Sequence, residues 1–474
     1  MHQVQRIESN IDLLLLHQHN PQDYPYFLET ALESDSDRHF DILFAFPQQT
    51  LLLQNNRLTI EEHPSSISEH NTAENSTTLA LHSNDFLHSL DHWWRRQRQY
   101  ANSGDTLPFR GGWFVFLSYE LAGQIEPGLR LPVNAQCEPT AFATRIPAAI
   151  IKDRRDNCLY AVTECRATPL MEKMLADIKQ ANPGLNTAVD RPPPKITVTE
   201  EDPDKYLIGV RRIKNYIKNG DVFQVNLSRW WNIQFATAPS HTWLYRQLRN
   251  HNPAPFFGLA TFADSAIISS SPERLVKLQD GMVSTRPIAG TRPRGHQSQQ
   301  DLDLRNELIQ HPKERAEHIM LIDLERNDLG RICQPGSIKV DELMTLEAYA
   351  HVHHIVSNIS GKIRDGVTPG QVIRAMFPGG TITGCPKVRC MEIIAELEQT
   401  GRGAYTGSMG YLNLNGDMDF NILIRTMIQC KNNVHLRAGA GIVADSVAEK
   451  ELAETRVKAK GLLKSLGDDQ PNLS

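Results

Sequence analysis

Apolar positions along the chain follow two periods. Asp202 can cap a helix, Pro203 suits its first turn, and Tyr206, Val210, Ile213 and Ile217 recur at three- and four-residue steps before Gly220. That pattern predicts a helix with one inward face. A second helix is predicted after Lys387, where Val388, Met391, Ile394 and Leu397 fall on one side. Strand-like runs lie at Val222 to Asn232 and at Ala266 to Ser270. Strands mixed with separate helices, without regular βαβ alternation, predict an α+β fold. No apolar run approaches the ~20 residues of a membrane helix. The four leucines near the start are flanked by Glu8 and Asp12, unlike a signal peptide, so the cytoplasm is the expected location.

Glycine divides the chain better than charge does. Residues 1–200 hold six of the 29 glycines and residues 361–445 hold thirteen, so sharp turns and close backbone approaches are expected late. Between them, Asn182 to Asp204 contains Pro192-Pro193-Pro194 and the acidic turn Glu200-Glu201-Asp202-Pro203, read as a linker or surface crossing. The division is therefore an N-terminal region over 1–190 and a second region over 200–465, expected to form one assembly. A Ser/Asn/His/Glu-rich stretch at 61–78 reads as a mobile loop. No repeat of solenoid period is visible.

Composition narrows the function classes. The 474 residues carry 50 basic and 55 acidic side chains, a net charge of −5, which excludes a broadly basic nucleic-acid or membrane surface. Seven scattered cysteines (Cys137, Cys158, Cys165, Cys333, Cys385, Cys390, Cys430) without a CxxC pair read as reduced thiols, not a disulfide framework or zinc site.

Three constellations carry candidate chemistry. Phe377 to Lys387 is a glycine-rich turn feeding a helix, whose free N–H groups suit an anion. Its Gly379 and Gly384 have P-loop spacing, but Cys385 and Pro386 replace the lysine and hydroxyl residue, which excludes that nucleotide motif. Glu314/Glu317 and Glu451/Glu454 are i, i+3 doublets on helical stretches. They suit either a hard cation such as Mg²⁺ or two solvated helix faces with Lys313, Arg315, Lys450 and Arg456 as neighbours. Arg425, inside the apolar Asn421 to Thr426 run, calls for a carboxylate partner, from the protein or from a substrate. His354 alone would be an ordinary strand histidine.

Together these segments resemble the chorismate-utilising enzymes, a family that includes anthranilate, aminodeoxychorismate, isochorismate and salicylate synthases. The resemblance rests on Ser271-Pro272-Glu273-Arg274, Pro287-Ile288-Ala289-Gly290-Thr291-Arg292, Asp323-Leu324-Glu325-Arg326-Asn327-Asp328, the Gly379 to Lys387 loop, Gly439-Ala440-Gly441 and the Glu451/Glu454 tail. It spans about residues 200–460 and is weaker before them. It implies two antiparallel sheets packed as a sandwich with helices outside. It also implies Glu317 and Glu454 as Mg²⁺ ligands with Glu314 and Glu451 beside them. Gly290, Thr291, Tyr405, Arg425, Lys387 and the amides of Gly439, Ala440 and Gly441 become substrate contacts. Glu273 becomes the acid acting on the departing C4 hydroxyl, with His354 and Thr381 in the same pocket.

The resemblance also bears on the nucleophile. Relatives that add water have a lysine base where this chain has Gln224, so ammonia is expected instead, delivered by a separate glutaminase subunit, since no Gly-x-Cys-x-Gly segment is present. Gln224-Val225-Asn226-Leu227, His353-His354-Ile355-Val356-Ser357 and Tyr24-Pro25-Tyr26-Phe27-Leu28-Glu29 resemble the aminodeoxychorismate branch, which aminates C4 on the route to p-aminobenzoate and folate. Ala289 stands where some of that branch have a nucleophilic lysine, which removes a covalent route. The alternatives are the anthranilate branch, which aminates C2, and a non-catalytic tryptophan or chorismate sensor. A tryptophan site as in anthranilate synthases would fall on Thr30, Pro255, Phe256 and Phe257, residues that equally suit packing between the halves.

Overall fold

The computed structural model describes residues 2–30, 40–63, 83–99, 106–134, 137–164, 168–181, 195–294, 297–348 and 352–467. Most of the 61–78 stretch, residues 182–194 of the expected crossing, and Cys165 lie outside the described residues. The other six cysteines are free thiols.

Two antiparallel sheets, of 12 and 11 strands, form the centre, and eleven α-helices among the described residues cover them. The fold is α+β. Both sheets run through both halves of the chain. In the first, the strand Tyr26–Glu29 pairs with Phe256–Phe262, Glu29 opposite Phe257. In the second, Gly112–Leu117 pairs with Ser408–Asn413.

Burial follows from the strand period. Side chains that point between the sheets, including Tyr26, Phe44, Phe114, Phe142, Ile267 and Met409, form one core. Those on the outer faces bury the apolar sides of the covering helices, in one case against Leu244, Leu248, Leu462 and Leu463 and in the other against Phe86, Leu90, Val372 and Ile373. The helix Pro203–Lys218 begins as its sequence predicts, with the Asp202 side chain accepting from the Asp204 amide and Tyr206, Val210 and Ile213 buried.

Two local expectations change. Residues 196–200, read as crossing, form a strand paired with the flank of Gln224–Phe235, because Ile-Thr-Val-Thr supplies β-branched side chains for an edge. In the helix Lys387–Glu398, Met391, Ile394 and Leu397 are buried, but Cys390 and Ile393 complete the inward stripe, and Val388 in the first turn is 39% exposed. Among the described residues, no helix is long and apolar enough to cross a membrane.

Candidate active site

The site opens where one sheet parts. The strand Asn433–Ile442 pairs along one side with Gln224–Phe235, setting Gly439 opposite Ser228 and Gly441 opposite Asn226. Along the other side its pairing with Thr426–Cys430 stops at Leu436 opposite Met427. The backbone of Gly439 to Gly441 therefore extends past that neighbour. The cause is Arg425, whose φ of +52° breaks the chain direction just before the strand. The expected arginine inside a strand is thus corrected: the run Ile422 to Ile424 leaves the ladder, and Arg425 sits half-buried in the break.

Missing side chains shape this opening. A Cβ on Gly439 would stand 2.8 Å from the Tyr405 hydroxyl and 2.9 Å from Asn226 Oδ1, and one on Gly441 would stand 2.2 Å from Gln224 Nε2. The glycines let Tyr405, Asn226 and Gln224 converge. Asn226 Oδ1 and Gln224 Oε1 are buried without a hydrogen-bond partner from the protein. Tyr405 rides on a loop held by Arg402, which donates to the carbonyls of Ile382 and Asn226 and lies in a buried ion pair with Glu398 at 2.6 Å.

Glu273 is the residue expected to act as the acid. Its backbone is fixed on both sides, its N–H donating to Ser271 Oγ at 3.2 Å and its carbonyl accepting from Ile422 at 3.0 Å. Glu273 is 5% exposed, and its Oε1 has no hydrogen-bond partner from the protein. Burial pushes it up to about 7, against the opposing pull of Thr381, the Ile288 amide and the Lys458 charge. It is therefore poised near neutrality as a proton donor. Thr381 stands on the short 3-10 turn Gly380–Ile382, its hydroxyl buried without a hydrogen-bond partner.

His354 comes from the strand Val352–Lys362, where Thr291 lies opposite it. Burial pushes its imidazole down to about 4, helped by the Arg425 charge, so the ring is neutral. Its Nδ1 lies 3.3 Å from the Gly290 carbonyl, which assigns that nitrogen the proton and leaves Nε2 as an acceptor. Gly290 needs its φ of +67°, and a Cβ there would be 2.9 Å from Glu314 Oε2.

The structure thus joins His354 with Gly290 and Arg425, and Gly439 with Tyr405. Lys387 is placed otherwise, its ammonium 2.5 Å from Asp328 Oδ2. Sequence reasoning passed over Lys458. Its ammonium donates to the Gly439 carbonyl at 2.9 Å, pairs with Glu454 at 2.7 Å, and bears on both Glu273 and His354. Its i, i+4 spacing from Glu454 was the available signal.

The four glutamates expected at Mg²⁺ lie on the helices Pro312–Gly330 and Ala448–Ser465. Glu314 faces Arg292 at 3.3 Å; Glu451 and Glu454 both bear on the Tyr206 hydroxyl. Among the described residues no three His, Cys, Asp or Glu side chains already form a cluster that could hold a metal. The donor set nevertheless fits a cation that takes one or two carboxylates and keeps its waters, and Glu454 with its lysine is about half exposed (49% and 46%), open to exchange.

The residues expected at a tryptophan site make the following contacts within the protein. The Thr30 amide donates to Asp41, Phe257 packs in the core against Tyr245, and Phe256 lies under the Arg274 guanidinium. Pro255 is half-buried. Next to them is a cavity of about 350 Å³ lined by Asp12, Glu29, Asp41, Lys152, Arg154 and Arg249, among others.

Comparison with known proteins agrees with this geometry. Residues 32–464 match the family of the chorismate binding enzyme. The chain is 42% identical over 369 residues to an anthranilate synthase component I-like protein of Synechocystis sp., covering 77% of this chain and 74% of that one. It is 40% identical over 387 residues to aminodeoxychorismate synthase component 1 of Bacillus subtilis, covering 79% and 81%. The crystal structure of anthranilate synthase component I from Streptococcus pneumoniae TIGR4 superposes with a TM-score of 0.76 at 31% identity, covering 91% of this chain and 93% of that one.

Proposed function

The chain belongs to the chorismate binding enzyme family, and from that premise we propose that it replaces the C4 hydroxyl of chorismate with an amino group, using ammonia from a glutaminase partner. The product is 4-amino-4-deoxychorismate, the precursor of p-aminobenzoate and folate. Gln224 is the observation that carries amination. A buried amide with an unpartnered oxygen stands where water-adding relatives have a lysine base, and an amide cannot take a proton from water.

Arg425, Lys458 and the backbone of Gly439 to Gly441 bind the substrate carboxylates, charge meeting charge in a water-poor cleft. Protonated Glu273 gives its proton to the C4 oxygen as the C–O bond breaks, so that water leaves instead of hydroxide. Ammonia forms the new C–N bond, and the proton shed by the nitrogen returns to Glu273, which restores the acid. Ala289 has no amine, so no enzyme-bound adduct intervenes. Glu317 and Glu454, with Glu314 and Glu451 beside them, would hold Mg²⁺, which supplies positive charge for a ring carboxylate.

Support for C4 comes from the motifs shared with the aminodeoxychorismate branch and from the Bacillus subtilis relative. A C2-aminating anthranilate synthase is the second reading, favoured by Ala289 and by the Streptococcus pneumoniae neighbour. Purified protein with chorismate, Mg²⁺ and an ammonium salt separates them. p-Aminobenzoate formed only with added aminodeoxychorismate lyase supports the C4 reading; fluorescent anthranilate without the lyase overturns it. Chorismate binding without turnover would identify a sensor.

A further inference from the structure

The loop that carries Tyr405 is gripped from the N-terminal region as well as by Arg402. The strand Gly112–Leu117 runs beside Ser408–Asn413 with Leu117 opposite Ser408, which delivers the short 3-10 turn Tyr119–Leu121 to the residues just before Ser408. From that turn the Glu120 carboxyl accepts the Arg402 amide at 2.7 Å and the Gly403 amide at 3.2 and 3.1 Å. Glu138, 5% exposed, accepts the Ala404 amide at 3.1 Å. The Asn134 side-chain amide donates to the same oxygen at 2.9 Å and steadies it. In return the Tyr119 amide donates to the Gly403 carbonyl at 2.9 Å, and the Arg402 guanidinium lies 4.9 Å from the centre of the Tyr119 ring.

Three successive backbone amides therefore converge on two carboxyls, the arrangement that elsewhere cradles a bound anion. Glycine makes it possible. Gly403 has a φ of +59°, and a Cβ on it would stand 2.0 Å from Glu138 Oε1, while one on Gly401 would stand 2.5 Å from the Asn134 Cα. Arg402, Gly403, Ala404 and Tyr405 are all buried, and a buried donor stripped of its acceptor costs its full desolvation, so the loop would shift to recover a partner. Tyr405 follows directly on Ala404, and its hydroxyl stands within 2.8 Å of where a Cβ on Gly439 would lie. A shift of the loop is thus a shift of the cleft wall.

We propose that Glu120 and Glu138 are positioning residues of the site, carboxyls of the N-terminal region that fix the backbone from Arg402 to Ala404 and, through it, the Tyr405 hydroxyl against the strand of Gly439. The bearing on chorismate rests on the function proposed above; the hold on the loop does not.

Hydrogen–deuterium exchange of the full-length protein reads that hold without substrate. In wild type the amides of Arg402, Gly403 and Ala404 should exchange as slowly as those of the strand Ser408–Asn413, and Glu120→Ala and Glu138→Ala should speed that segment selectively. Should the alanine variants fail to fold, Glu138→Asp, one methylene short of the Ala404 amide, is expected to show the same selective change. Fast exchange there in wild type, or exchange that none of these substitutions alters, overturns the proposal.

Chorismate binding, measured by equilibrium dialysis, is the second readout. Glu138→Ala should raise the chorismate Kd about tenfold, the effect of one hydrogen bond lost from a buried donor. Glu138→Gln keeps an oxygen acceptor at the same place and should restore it. The kcat with saturating chorismate and ammonium should fall by less than Kd rises, because Glu273 is untouched. A merely structural residue would lower the folded fraction and leave the Kd of the remainder at its wild-type value; that result, or a glutamine variant as weak as the alanine one, overturns the proposal. Wild type that binds no chorismate would overturn the function proposed above and leave the exchange measurement to decide the hold.

Discussion

Lys387 Nζ stands 2.5 Å from Asp328 Oδ2, with the two side chains only 11% and 4% exposed. The motif made Lys387 a substrate contact, yet the helix Pro312–Gly330 presents it with a buried carboxylate. Removing one partner of such a pair leaves an uncompensated charge and costs roughly 3–5 kcal/mol. Lys387→Met is expected to lose about that much stability in urea unfolding, and adding Asp328→Asn should recover part of it. A variant as stable as wild type with a raised chorismate KM would return Lys387 to the substrate.

Gly439 is the glycine expected at the substrate whose added Cβ would meet backbone. A Cβ there meets the Leu227 carbonyl at 2.7 Å and the Tyr405 hydroxyl at 2.8 Å, and the first of these is backbone that cannot swing away. Gly439→Ala should push the strand from its neighbour and displace Tyr405. A displacement of about 1 Å at a binding surface costs on the order of 100-fold, so chorismate kcat/KM should fall by about that factor with little change in melting temperature. Wild-type kinetics in this variant would place the substrate elsewhere.

Some of this site was legible before the fold. The helix Pro203–Lys218 declares its cap, its proline and its apolar step within a few residues, and rare motifs such as Ser-Pro-Glu-Arg name their own chemistry. What local pattern does not encode is pairing between distant segments: nothing in Tyr26–Glu29 specifies Phe256–Phe262 as its neighbour. Nor does an apolar run reveal that Arg425 turns left-handed, since Ile422 to Ile424 satisfies a strand pattern equally well. Glu325 was visible inside its motif, but on a helix with charges all round, only burial distinguishes it from Asp323, which is 67% exposed.

Buried titratable groups set the pH profile of stability. Asp41, Glu138 and Glu273 are pushed to about 7 and Glu325 to about 8, so the folded state holds their protons more tightly than the unfolded chain. The stability they contribute is complete below their ordinary carboxylate values and is lost as pH rises through 7 and 8. His17, His318, His354 and His435 are pushed down to about 4 from 6.5. Their contribution has the opposite sign: it is complete above 6.5 and is lost as pH falls toward 4. The two sets oppose each other under acid conditions, and above 6.5 only the carboxyls act. The urea midpoint should therefore decline from pH 6.5 to pH 8, and a rising midpoint would contradict the assigned burial.

The cavity beside Glu29 bears on whether tryptophan regulates this protein. Arg154 pairs with Glu29 and grips Asp41 at 2.8 Å. Arg249 pairs with Asp12 at 2.6 Å, and the Tyr245 hydroxyl donates to Glu29 at 2.8 Å. The wall of this cavity is largely made of such paired charges, which offer an indole little apolar surface. Tryptophan is therefore expected neither to raise the melting temperature nor to inhibit amination. Arg154→Ala would leave Glu29 and Asp41 facing each other with one cation fewer and should cost about 1–3 kcal/mol. That loss should shrink in acid, as Asp41, already pushed up to about 7, takes a proton. Saturable stabilisation by tryptophan that Arg154→Ala abolishes would instead make this cavity its binding site.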